Sequence, residues 1–182
     1  YYWTTNMSQG QVEYLRVSEF EKAFPNSEKI HHHQYERIAM QGMTGANDKV
    51  RIVACIIPKN IYLANSCNYL LPLVNFEIKA QLALLNSKLM NWYFKCFSTN
   101  SNVNGYEVDG LLFLKLEKVQ QDKLASLVND LMNENINKDT SALENQIDFL
   151  VYHLYGLTYD EVLIVDPETP ISREEYEAYK EE

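Results

Sequence analysis

The sequence predicts an α+β protein, in which a β-rich first part with one packed central helix is followed by an antiparallel helical pair and short helices. Two observations predict this class. Residues 1–118 are rich in β-branched and aromatic residues interrupted by polar turns, whereas residues 119–182 are rich in helix-forming residues. At 182 residues and 46% hydrophobic content, the chain can form one sizeable core or two small ones. We therefore expect two parts, residues 1–118 and residues 119–182.

Strands are predicted at four places in the first part, where β-branched and aromatic residues lie between turn formers. They cover residues 12–16, 35–41, 50–57 and 69–74. Between the second and third strands lie Gly42, Gly45, Asn47 and Asp48, which all favour turns. We expect these two strands to form a hairpin with a polar loop.

One buried helix is predicted over residues 76–97, because apolar residues recur there at spacings of three and four. These positions are Ile78, Leu82, Leu85, Leu89 and Trp92. The next segment, residues 98–105, consists largely of small amide and hydroxyl residues, which predict a loop. The apolar run over residues 111–116 is expected to form another strand.

The helices of the second part are predicted from their first residues. Three pairs have the capping-box spacing, and a helix should begin at each: Ser141 with Glu144, Thr158 with Glu161, and Ser172 with Glu175. Matching apolar stripes predict that helices over residues 120–135 and 141–155 form an antiparallel pair. Gly156 stands where a left-handed residue commonly ends a helix.

Charge is distributed unevenly along the chain, whose net charge is −9. Residues 1–118 contain 12 basic and 10 acidic side chains, a net charge of +2. Residues 119–182 contain 4 basic and 15 acidic side chains, a net charge of −11. Because affinity for a phosphate backbone comes largely from Lys and Arg, any nucleic-acid contact is expected in the first part.

Neither a membrane span nor a disulfide framework is indicated. The most apolar stretch, residues 78–97, is interrupted by Lys, Gln and Asn residues. The three cysteines are odd in number and far apart, which indicates reduced thiols and a cytoplasmic location. The chain begins with Tyr1 and has no secretory-signal pattern, so we interpret it as a piece of a longer polypeptide.

Three stretches of the chain resemble one known family when they are taken together. The first comprises YERIA at 35–39, RIVA at 51–54 and IPK at 57–59, leading into the Asn-rich turn NSCNY at 65–69. The second is LLNSKLMNWYF at 84–94. The third, the most specific, comprises LENQID at 143–148, LVY at 150–152 and YGLT at 155–158.

These stretches resemble the TaqI-like C-terminal specificity domain of type II restriction enzymes that combine a nuclease and an adenine-specific DNA methyltransferase in one polypeptide. The resemblance covers about residues 35–165. It implies a target-recognition domain that reads double-stranded DNA in a bacterial restriction-modification system. It also implies that the methyltransferase domain of the same polypeptide is a partner, and that the parent enzyme uses S-adenosylmethionine and Mg²⁺.

Side chains suited to DNA recognition are concentrated on the predicted hairpin: Arg37, Gln41, Thr44, Asn47, Lys49 and Arg51. Arg and Lys can contact guanine or phosphate, and Asn and Gln can contact adenine. These residues alternate with apolar ones, so one hairpin face could be core while the other meets a groove. Arg37 and Arg51 are the strongest candidates, although each residue taken singly is equally well explained as an ordinary solvated hairpin residue.

Two further groups complete the candidate DNA-binding residues. Lys59 lies in a polar turn, where turn formation explains the composition equally well. Lys95, Asn100 and Asn102 lie in or beside the loop 98–104, which could contact phosphate or a groove, or could be an ordinary surface loop. We expect His31–His33 to be a solvated loop rather than metal ligands.

Catalytic motifs of this family are absent from the chain. There is no Asn-Pro-Pro-Tyr type motif and no glycine-rich cofactor turn, and Asp166-Pro167 is not followed by a Lys at nuclease spacing. The sequence thus predicts a binding module without catalytic residues or metal ligands of its own. The alternative is a protein-interaction fragment that acts through its C-terminal helices.

Overall fold

The computed structural model describes residues 2–6, 11–134 and 138–179, and its architecture is α+β, as the sequence predicts. The strands are β1 (Tyr2–Asn6), β2 (Gln11–Leu15), β3 (Arg37–Gln41), β4 (Ala54–Ile57) and β5 (Cys67–Leu70). The helices are α1 (Val17–Ala23), a 3-10 helix (Glu28–Gln34), α2 (Ile78–Asn86), α3 (Lys88–Phe97), α4 (Gly105–Val108), α5 (Lys118–Asn133), α6 (Ser141–Leu154), α7 (Tyr159–Val165) and α8 (Arg173–Ala178).

Strand pairing follows the predicted hairpin. The central sheet has the order β4-β3-β5, and both neighbours of β3 run antiparallel to it. β3 and β4 are therefore the hairpin strands, joined by the loop 42–53. The predicted strand 12–16 is confirmed as β2, which pairs with the unpredicted β1 in a separate two-stranded sheet.

Both faces of β3 are covered. Ile38 and Met40 lie in the hydrophobic core, where α2 contacts β3 and β4. Arg37 and Ala39 point to the other face because side chains alternate along a strand, yet they are buried as well. On that face His32 Nδ1 and the Tyr69 hydroxyl share a hydrogen bond of 2.9 Å.

The predicted solvated loop at His31–His33 is wrong, because these residues form part of the 3-10 helix. The His33 side chain is buried and its Nδ1 donates a 2.6 Å hydrogen bond to the Ile30 carbonyl. Burial lowers the pKa of His33. The 3-10 helix thus packs beside the β3 sheet through His32 and His33, while His31 is exposed.

The predicted helix over residues 76–97 is two helices, α2 and α3, which are separated at Ser87. Ser87 has an extended ψ of 153° and caps α3, because its hydroxyl oxygen accepts from the Met90 backbone N–H at 3.1 Å. The same hydroxyl donates to the Leu84 carbonyl at 2.7 Å. The apolar spacing continues through this break, which is why periodicity alone predicted one helix.

The hydrophobic core is continuous across residue 118. α5 packs on α2, α6 contacts both α5 and α3, and one cluster contains Ile38 of β3, Leu85 of α2, Leu124 of α5 and Val151 of α6. The predicted pairing of the two long C-terminal helices is therefore present as a contact. Both helices also cover the central helices of the first part.

Helix ends in the second part largely follow the predicted local signals. Thr158 and Glu161 form a complete capping box, and the Ser172 hydroxyl accepts from the Glu175 backbone N–H. Gly156 has a φ of +69°, the left-handed conformation expected after α6. The sequence predicts Ser141 as the N-cap of α6, but the N-cap is the preceding residue, Thr140. Asn135, the predicted end of the preceding helix, lies outside the described residues.

The predicted strand over residues 111–116 is wrong. This segment has no regular secondary structure, although Leu111 and Leu116 at its ends are buried in the core. The Leu112 carbonyl accepts a 2.7 Å hydrogen bond from the Tyr155 hydroxyl of the second part. Leu111 and Leu116 therefore pack in the core without extending a sheet, whereas Leu112 is 63% exposed.

No helix in the described part of the chain is long and apolar enough to cross a membrane.

Candidate nucleic-acid interface

The loop 42–53 between β3 and β4 is closed at its base by the hydrogen bond from Gln41 N–H to the Val53 carbonyl, 3.0 Å long. Near its tip, the Asp48 carboxylate accepts from the Gly45 N–H at 2.7 Å, which fixes a turn. Gly42 is required for close backbone approach, because a Cβ there would lie 2.6 Å from the Ser66 carbonyl oxygen. The loop is thereby held against the turn that precedes β5.

The second predicted DNA-binding segment, the loop 98–104, lies directly beside the first. The Thr44 N–H donates to the Ser101 carbonyl at 2.8 Å, and the Val103 N–H donates to the Gly42 carbonyl at 3.0 Å. Met43 and Asn102 form an isolated antiparallel bridge between these hydrogen bonds. The two segments, whose bridged residues Met43 and Asn102 are 59 positions apart, thus form one continuous surface.

Arg51 joins the two loops by hydrogen bonds from a buried side chain. Its side chain is completely buried, Nε donates to the Thr44 hydroxyl at 2.9 Å, and one terminal nitrogen donates to the Asn100 carbonyl. The guanidinium also lies 5.4 Å from the centre of the Phe94 ring. The expectation that Arg51 lies on the exposed face of the hairpin is therefore wrong. Its role in the structure is to position the loops.

Arg37 is also buried, so its expected place on an exposed hairpin face is wrong too. Its guanidinium donates to the Ile61 carbonyl and lies 5.0 Å from the centre of the Tyr69 ring. Burial lowers the pKa of Arg37. Among the described residues, no carboxylate forms an ion pair with Arg37 or Arg51.

Thr44 is the third predicted contact that the structure buries, with 6% of its surface exposed. Its hydroxyl donates to the Arg51 carbonyl at 3.1 Å and accepts from the Arg51 guanidinium. Both hydrogen-bonding functions of this hydroxyl are therefore directed into the protein, and its expected exposure is wrong.

Four of the predicted residues are exposed on the paired loops. A fifth is the exposed last residue of β3, and a sixth is exposed in the last turn of α3, immediately before the second loop. We call these six residues the two-loop surface: Gln41, Asn47, Lys49, Lys95, Asn100 and Asn102. They offer two ammonium groups for phosphates and four amide groups able to form paired hydrogen bonds with base edges.

The ammonium group of Lys49 lies 3.8 Å from the Glu168 carboxylate, but both side chains are about nine-tenths exposed. Such an exposed pair contributes little to stability and exchanges readily with other anions. Lys49 therefore remains accessible to a phosphate, although the acidic C-terminal segment comes close to this edge of the surface.

Lys59 is not part of the two-loop surface. Ile57 pairs with Arg37 at the first residue of β3, whereas Gln41 lies at the last. Lys59 lies two residues after Ile57, and so beyond the end of the sheet at which β3 begins. The length of β3 therefore separates Lys59 from Gln41. At about 3.4 Å per residue, that length is roughly 14 Å.

Aromatic side chains beside the second loop were not among the predicted contacts. Tyr106 of α4 is 70% exposed and Phe97 at the end of α3 is 40% exposed. Together with Tyr93, Thr99 and Asn100 they line an open cleft of about 450 Å³. The only sequence signal is the spacing of Tyr93 and Phe97 by one helical turn just before a polar loop.

Glu107, at the edge of this cleft, is a buried carboxylate. Burial alone would raise its pKa, but hydrogen bonds from Asn104 and Ser98 and the positive charge of Arg51 lower it below the ordinary value. Glu107 completes a capping box with Asn104, whose N–H donates to its carboxylate at 2.9 Å. It therefore stabilises the start of α4 and the end of the second loop.

The described residues contain no group of three or more His, Cys, Asp or Glu side chains arranged to hold a metal ion. Asp166, which precedes Pro167, accepts a 2.7 Å hydrogen bond from the Lys88 ammonium. No protein-family model matches the chain, and no curated protein is significantly similar to it.

Proposed function

We propose that this chain is a sequence-specific recognition module for double-stranded DNA, part of a bacterial restriction-modification enzyme with a TaqI-like specificity domain. In this proposal it positions the methyltransferase and nuclease domains of the same polypeptide on their target site. The observation that carries it is the two-loop surface, because two separate polar loops are locked side by side.

The composition of this surface suits DNA in two respects. Lys49 and Lys95 can replace counterions on phosphates, and the amides of Gln41, Asn47 and Asn100 can form paired hydrogen bonds with adenine. Backbone hydrogen bonds between the loops fix the course of the chain segments that carry Asn47, Lys49 and Asn100 before DNA arrives. Preorganisation reduces the ordering cost of binding.

Arg37 and Arg51 have a different role in this proposal from the direct contact that the sequence suggested. Both guanidinium groups are buried and hydrogen bonded to backbone carbonyls. We assign Arg51 to positioning the two loops. Arg37 supports the far end of the sheet, near Lys59, which we leave outside the principal contact surface.

The acidic second part would be repelled by phosphates, so we propose that it contacts the methyltransferase domain instead. S-adenosylmethionine and Mg²⁺ would serve the catalytic domains of the parent enzyme, and DNA binding by this chain would need neither. A cytoplasmic location follows from the same proposal, since the DNA of the cell is there.

A second candidate function is protein interaction through the C-terminal helices. A groove of about 430 Å³ between α5 and α6 favours it, lined partly by Leu127, Phe149, Leu150 and Tyr179. Such an apolar contact responds weakly to salt. DNA affinity, in contrast, falls steeply as salt is added, because bound counterions are released.

The proposal is tested by titrating a labelled pool of mixed-sequence DNA duplexes with the whole chain at several salt concentrations, using fluorescence anisotropy. The variant Lys49→Ala/Lys95→Ala should bind more weakly, and the slope of log affinity against log salt should fall by about two, one for each lost phosphate contact. Lys59→Ala is the matched control and should leave the slope unchanged.

Two results would contradict the proposal. One is binding that hardly changes with salt, which would favour the protein-interaction alternative. The other is a loss of slope of about one in Lys59→Ala, half that of the double variant, which would show that each cation contributes alike wherever it lies and that the two-loop surface has no special role.

A further inference from the structure

The cleft beside the second loop lies between the last turn of α3 and the short helix α4. Three aromatic side chains line it, Tyr93, Phe97 and Tyr106, and the rest of the lining is Thr99, Asn100, Glu107 and Gly110. Its volume of about 450 Å³ falls within the usual range of small-ligand sites, roughly 300–1,000 Å³. It is therefore large enough for one planar ring system and its surroundings.

The rings of the cleft are held in place while their surfaces stay open. Phe97 makes edge contacts with Tyr93 and Phe94, with ring centres 5.3 and 5.4 Å apart. The Tyr106 hydroxyl accepts a 3.3 Å hydrogen bond from the Asn104 amide. Nevertheless 40% of Phe97 and 70% of Tyr106 remain exposed. A flat apolar ligand could cover these surfaces without displacing a side chain.

Polar groups beside the rings match the rest of a nucleotide. The Asn100 amide and the Thr99 hydroxyl can hydrogen bond to the edge of a base. Lys95 is exposed one turn before the loop and can reach a phosphate. Asn100 belongs both to this cleft and to the two-loop surface, so a nucleotide here would be continuous with DNA lying on that surface.

From these contacts we infer that the cleft binds a single nucleobase that is out of the helical stack, unpaired or turned out of the duplex. Aromatic side chains bind such bases by stacking, with little dependence on sequence. A base inside an intact duplex has both faces covered by its neighbours and cannot enter. This inference rests on the proposed function and adds a ligand class to the same face of the protein.

The test compares two DNA duplexes that differ only in one bulged adenine, with 2-aminopurine as a fluorescent replacement for that base. The wild-type chain should bind the bulged duplex about tenfold more tightly than the paired one, and the fluorescence of 2-aminopurine should be quenched by stacking. Tyr106→Ala should remove most of the preference and most of the quenching, while its affinity for the paired duplex stays the same.

Tyr106→Phe is the matched control, because it keeps the ring and should keep the preference. Tyr106 is largely exposed, so neither substitution should unfold the protein. Equal binding of both duplexes by the wild-type chain, or an undiminished preference in Tyr106→Ala, would overturn the inference and leave the proposed function standing. Failure to bind either duplex would overturn the proposed function together with the inference.

Binding of an apolar peptide is the competing use of such a cleft. A competition experiment compares a peptide containing Phe and Leu with a polar peptide of equal charge. The inference is supported if the apolar peptide displaces the bulged base no better than the polar one. Selective displacement by the apolar peptide, together with no preference for the bulge, would assign the cleft to a protein partner and overturn it.

Discussion

The two buried arginines donate hydrogen bonds to backbone carbonyls rather than to carboxylates. One nitrogen of each, Arg37 Nε and Arg51 Nη1, has no hydrogen-bond partner among the described residues. Arg37 binds the carbonyl of Ile61, and Arg51 binds that of Asn100. A carbonyl belongs to the backbone of a loop, so each arginine fixes the course of the chain as well as its own position. Removing such a donor leaves a buried carbonyl without its partner, which costs about 1–3 kcal/mol.

A different arrangement surrounds Lys88 at the start of α3. Its ammonium lies 2.7 Å from Asp166 Oδ2 and 3.8 Å from Asp148 Oδ2, and its backbone N–H donates to Asp148 Oδ1 at 2.8 Å. Burial raises the pKa of Asp148 to about 6, although Lys88 opposes the shift and the negative charges of Asp166 and Glu144 add to it. The carboxylate of Asp148 is thus ionised at neutral pH at some cost to stability.

This raised pKa gives the protein a specific pH dependence. Because folded Asp148 binds its proton more tightly than the unfolded chain does, its contribution to stability is full below about pH 4 and is lost as the pH rises to about 6. The loss is about 3 kcal/mol. Asp148→Asn resembles the protonated form, so at pH 7.5 it should be more stable than the wild type by about 1–3 kcal/mol. Urea unfolding at pH 4.5, 6 and 7.5 measures this difference.

The control for Asp148→Asn is Asp130→Asn, which removes an exposed acid on α5 whose charge is not among those that shift the pKa of Asp148. The control should change the unfolding free energy by less than about 0.5 kcal/mol, as is usual at exposed sites. A less stable Asp148→Asn protein at pH 7.5 would mean that attraction to Lys88 outweighs the burial of the charge, and the prediction would be wrong.

At the scale of elements, the two central helices hold the chain segment that enters β4. Asn91 of α3 accepts from the backbone N–H groups of Arg51 and Ile52, each at 2.8 Å. Asn86 of α2 accepts from the Ala54 N–H at 3.1 Å and donates to the Ala54 carbonyl at 2.9 Å. The break between α2 and α3 at Ser87 lets both amides face this one segment.

The two asparagines have similar partners and different exposure, which gives a matched comparison. Asn91 is buried, so Asn91→Ala leaves two N–H groups without partners and should lower the unfolding free energy by about 2–4 kcal/mol. Asn86 is exposed, so water can replace its amide in Asn86→Ala and the loss should be below about 1 kcal/mol. Urea unfolding measures both, and equal losses would contradict the argument.

Elements defined by local interactions were predictable from the sequence. Thr158 with Glu161 and the left-handed Gly156 involve residues only a few positions apart, so the pattern contains the whole interaction. The hairpin of β3 and β4 was predictable from the turn formers between the two strands, although its paired residues are 14 to 20 positions apart. The break at Ser87 was missed because a Ser inside an apolar helical pattern is compatible with both one helix and two.

Burial of the candidate site residues depends on distant parts of the chain, which no local pattern contains. Alternation correctly separates the two faces of β3, but the face containing Arg37 is covered by the carbonyl of Ile61 and by neighbouring aromatic rings. Arg51 is covered by the loop that contains Asn100. For exposed residues such as Lys49 and Asn102 the sequence predicted the location, and DNA contact stays a prediction.

On the scale of the whole molecule, one hydrophobic core extends across residue 118, where the amino-acid composition changes. Gln121 of α5 accepts from the Glu77 backbone N–H at 2.7 Å and donates to the Leu116 carbonyl at 3.0 Å. Leu124 is completely buried in the cluster that also contains Ile38. The helices of the second part therefore form one wall of the core that supports the β3 sheet.

If this continuous core unfolds as one unit, damage in α5 must weaken β3. Leu124→Ala should lower the global unfolding free energy by about 2–4 kcal/mol, and hydrogen exchange of the Ile38 and Met40 amides should speed up by the corresponding factor. Met132→Ala, on the same helix but 58% exposed, is the control and should change neither quantity appreciably. Faster exchange confined to the second part would instead mean that residues 1–118 and 119–182 unfold independently, despite the core that they share.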